Sequence, residues 1–341
     1  MKKQIDKIIE LHSIGSNCDT NATKTIMHYY GYHYDEDVVF GLGSGLGFIY
    51  QYYSKNNTFF LSGKNESLEL NVATLFGGTL YSRSFESAEE AWLEAKDMID
   101  ADIPLILDLS ITHLPYFQPY LSEIQNLGFG LHNAMLVGYD DKEQTVTLLD
   151  HRWLRPQMIS KQALLDSWYL KDSDVNPRGA FHAIMLPAPP EQINDEIRYA
   201  LRLNMSRLLH PFAYKMGLPG LKTFWREISG FANIGLDDDS REGVATFASL
   251  MEKLGTGGGN FRRLYGNFLK KLSRFDDAFL PLRDTSKRYL QCAVLWKQLS
   301  INMTRWSDTD DAEAAANACT ILEQIVQNEY ACVEEIRAFL T

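Results

Sequence analysis

The chain has 341 residues, 45% of them hydrophobic and 23% charged. That is more than one apolar core ordinarily serves, so two domains are expected. The net charge of -11 argues against a general nucleic-acid binder and suits a cationic substrate. The cysteines (Cys18, Cys292, Cys319 and Cys332) fit no paired metal-ligand spacing, which points to reduced thiols in a cytoplasmic protein without a structural metal.

The N-terminal MKKQIDKIIEL opens like a signal peptide, but Asp6, Lys7 and Glu10 interrupt its apolar core, and no later run approaches membrane-spanning length. Ser16, Asn17 and Asp19 are helix-start residues, and residues 21–30 read as a helix ended by Gly31. Cys18 therefore falls at or just before a helix N-terminus, where unpaired N–H groups and the dipole favour a thiolate. A lone cysteine is otherwise a small buried hydrophobe, so its role depends on residues further along. The run GLGSGLG from Gly41 fails the GxGxxG pattern, because Leu46 and Phe48 stand where a glycine is needed, and no Gly-Lys-Ser/Thr follows. Its glycines mark a tight loop or the close approach of another backbone or a ligand. Residues 87–100 form an amphipathic helix with a serine cap, and residues 104–109 a buried strand. The aromatic loop THLPYFQPYL walls a pocket or covers the core. Residues 132–139 and 145–150 are strand-like with a polar, hairpin-like linker, and 180–186 is a further strand. Pro187, Pro189 and Pro190 then mark a boundary. Beyond them, residues 192–209, 243–254, 261–275, 285–302 and 311–340 carry helical periodicity. The expected architecture is an α+β domain, residues 1–187, followed by a mostly helical domain, residues 191–341.

A hairpin turn centred on Asp141 sets His132 opposite Asp150 at the open end, within reach of a cross-strand hydrogen bond. Asp140, the rival partner, lies at the turn, about 26 Å away at roughly 3.3 Å per strand residue. A cysteine at a helix start, a histidine on a later strand and a carboxylate on the next make the arrangement of a papain-like cysteine triad. His132 takes the Cys18 proton and returns one to the leaving group, while Asp150 fixes the tautomer and stabilises the imidazolium. The Cys18 N–H is a natural first oxyanion donor, with His12 or Asn17 as the second.

The segments Cys18-Asp19-Thr20, Tyr30-Gly31, FGLGSGL from Phe40, His132 and Val137-Gly138-Tyr139-Asp140 resemble the family of butirosin biosynthesis protein H. Gly217-Leu218-Pro219-Gly220 and GGGNFRRLYGNFL from Gly257 resemble the helical domain that usually follows it. Asn17 departs from the pattern, which has a histidine beside the cysteine; that bears on the neighbour's role, not on the nucleophile. The resemblance implies a papain-like fold, related in pattern to cysteine peptidases that cleave bacteriocin leaders, and an acyltransferase of antibiotic biosynthesis. Such an enzyme takes an acyl or aminoacyl group from the phosphopantetheine arm of an acyl carrier protein, holds it on Cys18, and passes it to a small amine. It implies no bound cofactor besides the carrier's arm. The same residues serve a thioesterase or peptidase when water replaces the amine, and a carrier-binding module would need none of the chemistry. Arg262, Arg263, Lys270 and Arg274 are the candidate carrier dock: residues 257–275 hold no acidic residue, and Arg263, Lys270 and Arg274 fall within roughly 40° on a helical wheel. Asp35, Glu36 and Asp37 are candidates for holding the amine.

Overall fold

The computed structural model describes residues 1–53, 58–120, 131–170, 176–252 and 256–341. In chain order these form β1 (Lys2–Gln4), α1 (Asp6–Leu11), α2 (Cys18–Tyr29), α3 (Glu36–Leu42), β2 (Leu46–Tyr53), β3 (Thr58–Lys64), α4 (Leu68–Leu75) and β4 (Thr79–Arg83). Next come α5 (Ala88–Asp100), β5 (Leu105–Ser110), β6 (Leu131–Asp140), β7 (Thr145–Leu149), β8 (Gln157–Ser160), α6 (Lys161–Trp168) and β9 (Phe181–Met185). Helices follow: α7 (Asn194–Leu209), α8 (Gly217–Ile234), α9 (Asp238–Glu252), α10 (Arg262–Lys271), α11 (Leu282–Thr309) and α12 (Ala312–Leu340). The class is mixed α+β with antiparallel pairing throughout the described strands. No helix among the described residues is long and apolar enough to cross a membrane.

Two compact units emerge: Met1–Val39 with Glu69–Pro190, and Phe40–Leu68 with Glu191–Thr341. The proline cluster coincides with the later passage. The earlier excursion, which carries a hairpin into the helical unit, leaves no sign in composition.

The first unit is built on a sheet of strand order β4-β9-β5-β6-β7-β8, with β1 also paired to β6. Strand β5 (LILDLS) is buried at every position but Asp108, as an inner strand requires. On α5 the Ser87 side chain accepts the Glu90 N–H, and Ala91, Trp92, Ala95 and Ile99 make its buried face. The β6–β7 register differs from the expected one: Met135 faces Leu149 and Asp140 faces Thr145, with a bulge between Leu136 and Gly138. The turn is centred beyond Asp141 because Asp140 Oδ1 accepts the N–H groups of Lys142 and Glu143, an Asx-type turn. Asp150 sits just past the end of β7, so it meets His132 diagonally and not in direct opposition.

In the second unit the β2–β3 hairpin buries Phe48, Tyr50, Phe59 and Leu61. Phe48 and Tyr50 pack on Phe224, Phe48 also on Trp296, and Phe59 on Phe247. Close approach explains the glycine run: a Cβ on Gly41 would stand 2.1 Å from the Phe268 ring. Helix α8 forms although Pro219 lies in its first turn, where a missing N–H costs nothing. The GGGNF stretch is a left-handed turn, with φ of 65°, 93°, 58°, 49° and 70° from Gly257 through Phe261. At Gly259 a side chain would also strike the Ala293 backbone at 2.3 Å.

Candidate active site

Cys18 is the first residue of α2, and Asn17 is its N-cap, accepting from the Thr20 N–H at 3.1 Å and the Thr20 hydroxyl at 3.0 Å. The Cys18 N–H is therefore one of the helix's unpaired first-turn donors. The loop leading to it is pinned from several sides. Glu36 accepts the N–H groups of Ser16 and Asn17 at 2.8–3.0 Å. The Gly15 N–H donates to the His151 carbonyl at 2.8 Å, His12 Nε2 to the Trp153 carbonyl at 2.9 Å, and Lys24 Nζ to Ser13 Oγ at 2.7 Å. The loop leading to Cys18 is thus tied to residues 151–153, which directly follow Asp150.

His132 Nε2 lies 2.6 Å from Asp150 Oδ2, and the two residues are 3% and 1% exposed. Asp150 also accepts the Tyr116 hydroxyl at 3.2 Å and the Arg152 N–H at 3.1 Å. His151 Nδ1 stands 3.2 Å from its Oδ1, away from a hydrogen-bonding angle. Phe117 packs edge-on against His132 at 5.0 Å and against Trp153 at 4.7 Å, so the aromatic loop supports the imidazole. With Nε2 committed to Asp150, Nδ1 is the nitrogen left for Cys18.

The electrostatics follow from this placement. Burial pushes the Cys18 thiol up, but the hydrogen bond and charge of His132 outweigh it and bring the thiol down to about 7. Burial pulls His132 down, yet Asp150, with Cys18 adding to it, raises the imidazole to about 10. Burial opposes ionisation of Asp150 as well, and the neighbouring histidines hold it far below the usual carboxylate range. Between these limits the stable pair is thiolate and imidazolium. Cys332 is pushed up by its hydrogen bond to Cys292 and by burial, and Cys319 by burial. Iodoacetamide at pH 6.5 is accordingly expected to label Cys18 first, with a rate that climbs through pH ~7; peptide mapping across a pH series checks both. Equal labelling of Cys319 or Cys332 would remove the activated thiol.

The remaining expected residues separate. Asn17 spends its side-chain oxygen on the cap. His12 Nε2 is occupied by a carbonyl acceptor and so carries the proton, and burial lowers the ring's pKa. The neutral ring offers only a lone pair at Nδ1, which suits an oxyanion poorly. Of the acidic trio, Glu36 is engaged by the N–H groups of Ser16 and Asn17 and Asp37 is buried. Arg262 corrects the docking set: its side chain is fully buried, with two 2.7 Å bonds to Glu329 and a third nitrogen on the Asn260 carbonyl. It lies on the apolar side of α10, whereas Arg263, Lys270 and Arg274 are exposed. His132, Asp150 and His151 bring metal-type donor atoms within 4.8 Å, but hydrogen bonds and ion pairing within the group account for that gathering.

Residues that sequence reasoning passed over are Tyr116, Asn133 and Asp108. Cys18 Sγ lies 3.8 Å from Asn133 Oδ1, and Asn133 Nδ2 donates to Asp108 at 2.7 Å. The available signal was one carboxylate interrupting the apolar run LILDLS.

The family model described as butirosin biosynthesis protein H, N-terminal, matches residues 17–151, a stretch that begins beside Cys18 and ends beside Asp150. A second, described as domain of unknown function (DUF4872), matches residues 174–336. No curated protein sequence matches the chain. The chain thus matches the butirosin biosynthesis protein H family over its N-terminal part, with the second family's domain following it, and the two models together span most of its length.

Proposed function

We propose that the protein is a cysteine-dependent acyltransferase of natural-product assembly with a papain-like catalytic unit. The observation that carries this reading is the Cys18 thiol at a helix start, brought to about 7 by His132, whose other nitrogen is held at 2.6 Å by a buried Asp150. Such a thiolate exchanges readily with a thioester, forming a Cys18 acyl-enzyme and releasing the carrier's phosphopantetheine thiol, to which His132 returns a proton. An amine then attacks the acyl-enzyme, and His132 takes the amine's proton. The Cys18 N–H faces the developing oxyanion. The match of the N-terminal part to the butirosin biosynthesis protein H family supports natural-product chemistry, and the net charge of -11 supports a cationic acceptor. Reduced thiols fit a cytoplasmic setting.

The donor is an acyl carrier protein, which the exposed Arg263, Lys270 and Arg274 suit because carriers are acidic. One experiment tests donor and reaction together. Intact mass should show Cys18 acylated both by a carrier thioester and by a small N-acetylcysteamine thioester. Charge reversal at Arg263 and Lys270 should slow loading from the carrier alone, most strongly at low salt. Added polyamine should then discharge the acyl-enzyme at least about tenfold faster than water, a barrier difference of roughly 1.4 kcal/mol. Hydrolysis unaffected by every amine would replace this reading with a thioesterase.

A further inference from the structure

We propose that Asn133 and Asp108 form a reader for a substrate amino group beside the reacting sulfur; this rests on the acyltransferase reading above. Asn133 Oδ1 is 3.8 Å from Cys18 Sγ, and its amide nitrogen donates to Asp108 Oδ1 at 2.7 Å. A carboxylate only accepts hydrogen bonds, so the amide cannot turn round, and its oxygen must face the sulfur. The register makes the pairing firm, because Asp108 and Asn133 are direct neighbours across β5 and β6. The other Asp108 oxygen meets His182 Nε2 at 3.4 Å, and Ser82 Oγ lies 2.8 Å from His182 Nδ1. Burial opposes ionisation of His182, but Asp108 raises its pKa, so the histidine holds the far oxygen of the carboxylate while the near oxygen holds the Asn133 amide.

Beside Cys18 the protein thus presents a hydrogen-bond acceptor backed by a carboxylate. An oxyanion would be repelled there, so this side is distinct from the oxyanion position at the helix N-terminus. The group that fits is an N–H donor, and a protonated amine gains most because it also feels the Asp108 charge. Asn133, Asp108 and His182 are half-buried and reach solvent, whereas Asp150 is 1% exposed. The row is therefore open to a substrate, while Asp150 serves His132. The amine belongs either to the acyl chain, next to the thioester carbonyl, or to the attacking acceptor.

The test uses Asp108→Asn, which frees the amide to turn, and Asn133→Leu, which removes the acceptor at similar volume. Circular dichroism and Cys18 alkylation establish that each variant is folded with its nucleophile intact. Loading is compared for glycyl and acetyl N-acetylcysteamine thioesters, and the acetyl-enzyme is then partitioned between spermidine and water. In both variants one of the two ratios should fall at least about tenfold, equivalent to roughly 1.4 kcal/mol. A fall in the glycyl-to-acetyl ratio places the amine on the acyl chain, and a fall in aminolysis over hydrolysis places it on the acceptor. Both ratios staying within about twofold of wild type in both variants overturns the proposal and leaves a structural cross-strand pair. If the wild-type protein accepts neither thioester, it is the acyltransferase reading that fails, and this one falls with it.

Discussion

Replacing His132 with alanine is expected to slow acylation of Cys18 by about three orders of magnitude or more. Two losses combine. Without the imidazolium the thiol returns from about 7 toward the ordinary cysteine range, and at neutral pH the thiolate fraction drops by about fifteenfold. The departing thiol of the proposed thioester donor then has no proton source, which costs a further factor of about 10²–10⁴. The pH profile separates the two. Cys18 titrates at about 7 and His132 at about 10, so wild-type kcat/KM should rise through the first value and fall beyond the second. The alanine variant should lose the basic limb and move its acid limb upward. Asp150→Asn keeps an oxygen for His132 but no charge, so the basic limb should move down with a smaller loss of rate. A fully active Asp150→Asn protein, alongside an inactive Asp140→Asn, would mean that Asp150 is not the partner. Asp140 is held by its own turn and lies 3.6 Å from Lys2.

Arg262→Ala is expected to destabilise the helical unit by about 3–5 kcal/mol, a large fraction of an ordinary domain's stability. Arg262 and Glu329 are both fully buried and doubly bonded, and the Trp296 indole donates to Glu329 at 3.0 Å. Removing the guanidinium strands a carboxylate in an apolar core and leaves the Asn260 carbonyl without its 2.8 Å donor. Urea unfolding followed by tryptophan fluorescence reads it directly, since the guanidinium sits 5.3 Å over the Trp296 ring. Arg263→Ala, on the exposed side of the same helix, should stay within about 0.5 kcal/mol of wild type. The paired change Arg262→Met with Glu329→Leu should recover most of the loss, because hydrophobic replacements remove both charges together. If Arg262→Ala unfolds like wild type, the buried pair contributes nothing to the core.

Local signals announced local features. Ser16, Asn17 and Asp19 announced a helix start, and the cap is Asn17 with Cys18 first in the helix. The hairpin between residues 132 and 150 was visible in its alternation, and it brought His132 and Asp150 together as a pair. The detailed register was not legible, because nothing near Val137 signals the bulge between Leu136 and Gly138. Partners distant in sequence were beyond reach for the same reason. Arg262 read as one more surface cation because Glu329, 67 positions on, has no local mark. Asp108 and Asn133 meet only through strand pairing, and Tyr116 reaches Asp150 from a loop whose role the sequence left between a wall and a cover.

The passage of Phe40–Leu68 into the helical unit also bears on how the protein is made. Translation delivers the β2–β3 hairpin early, with Phe48, Tyr50 and Leu61 destined for burial, but the helices that bury them come only after Pro190. At ordinary elongation rates that interval is on the order of ten seconds. Throughout it the nascent chain displays an apolar ribbon with unpaired edges, a natural client for a ribosome-bound chaperone. Expressing residues 1–190 alone would make that transient exposure permanent, so a soluble fragment of the first unit requires removal of the hairpin as well as of the helices.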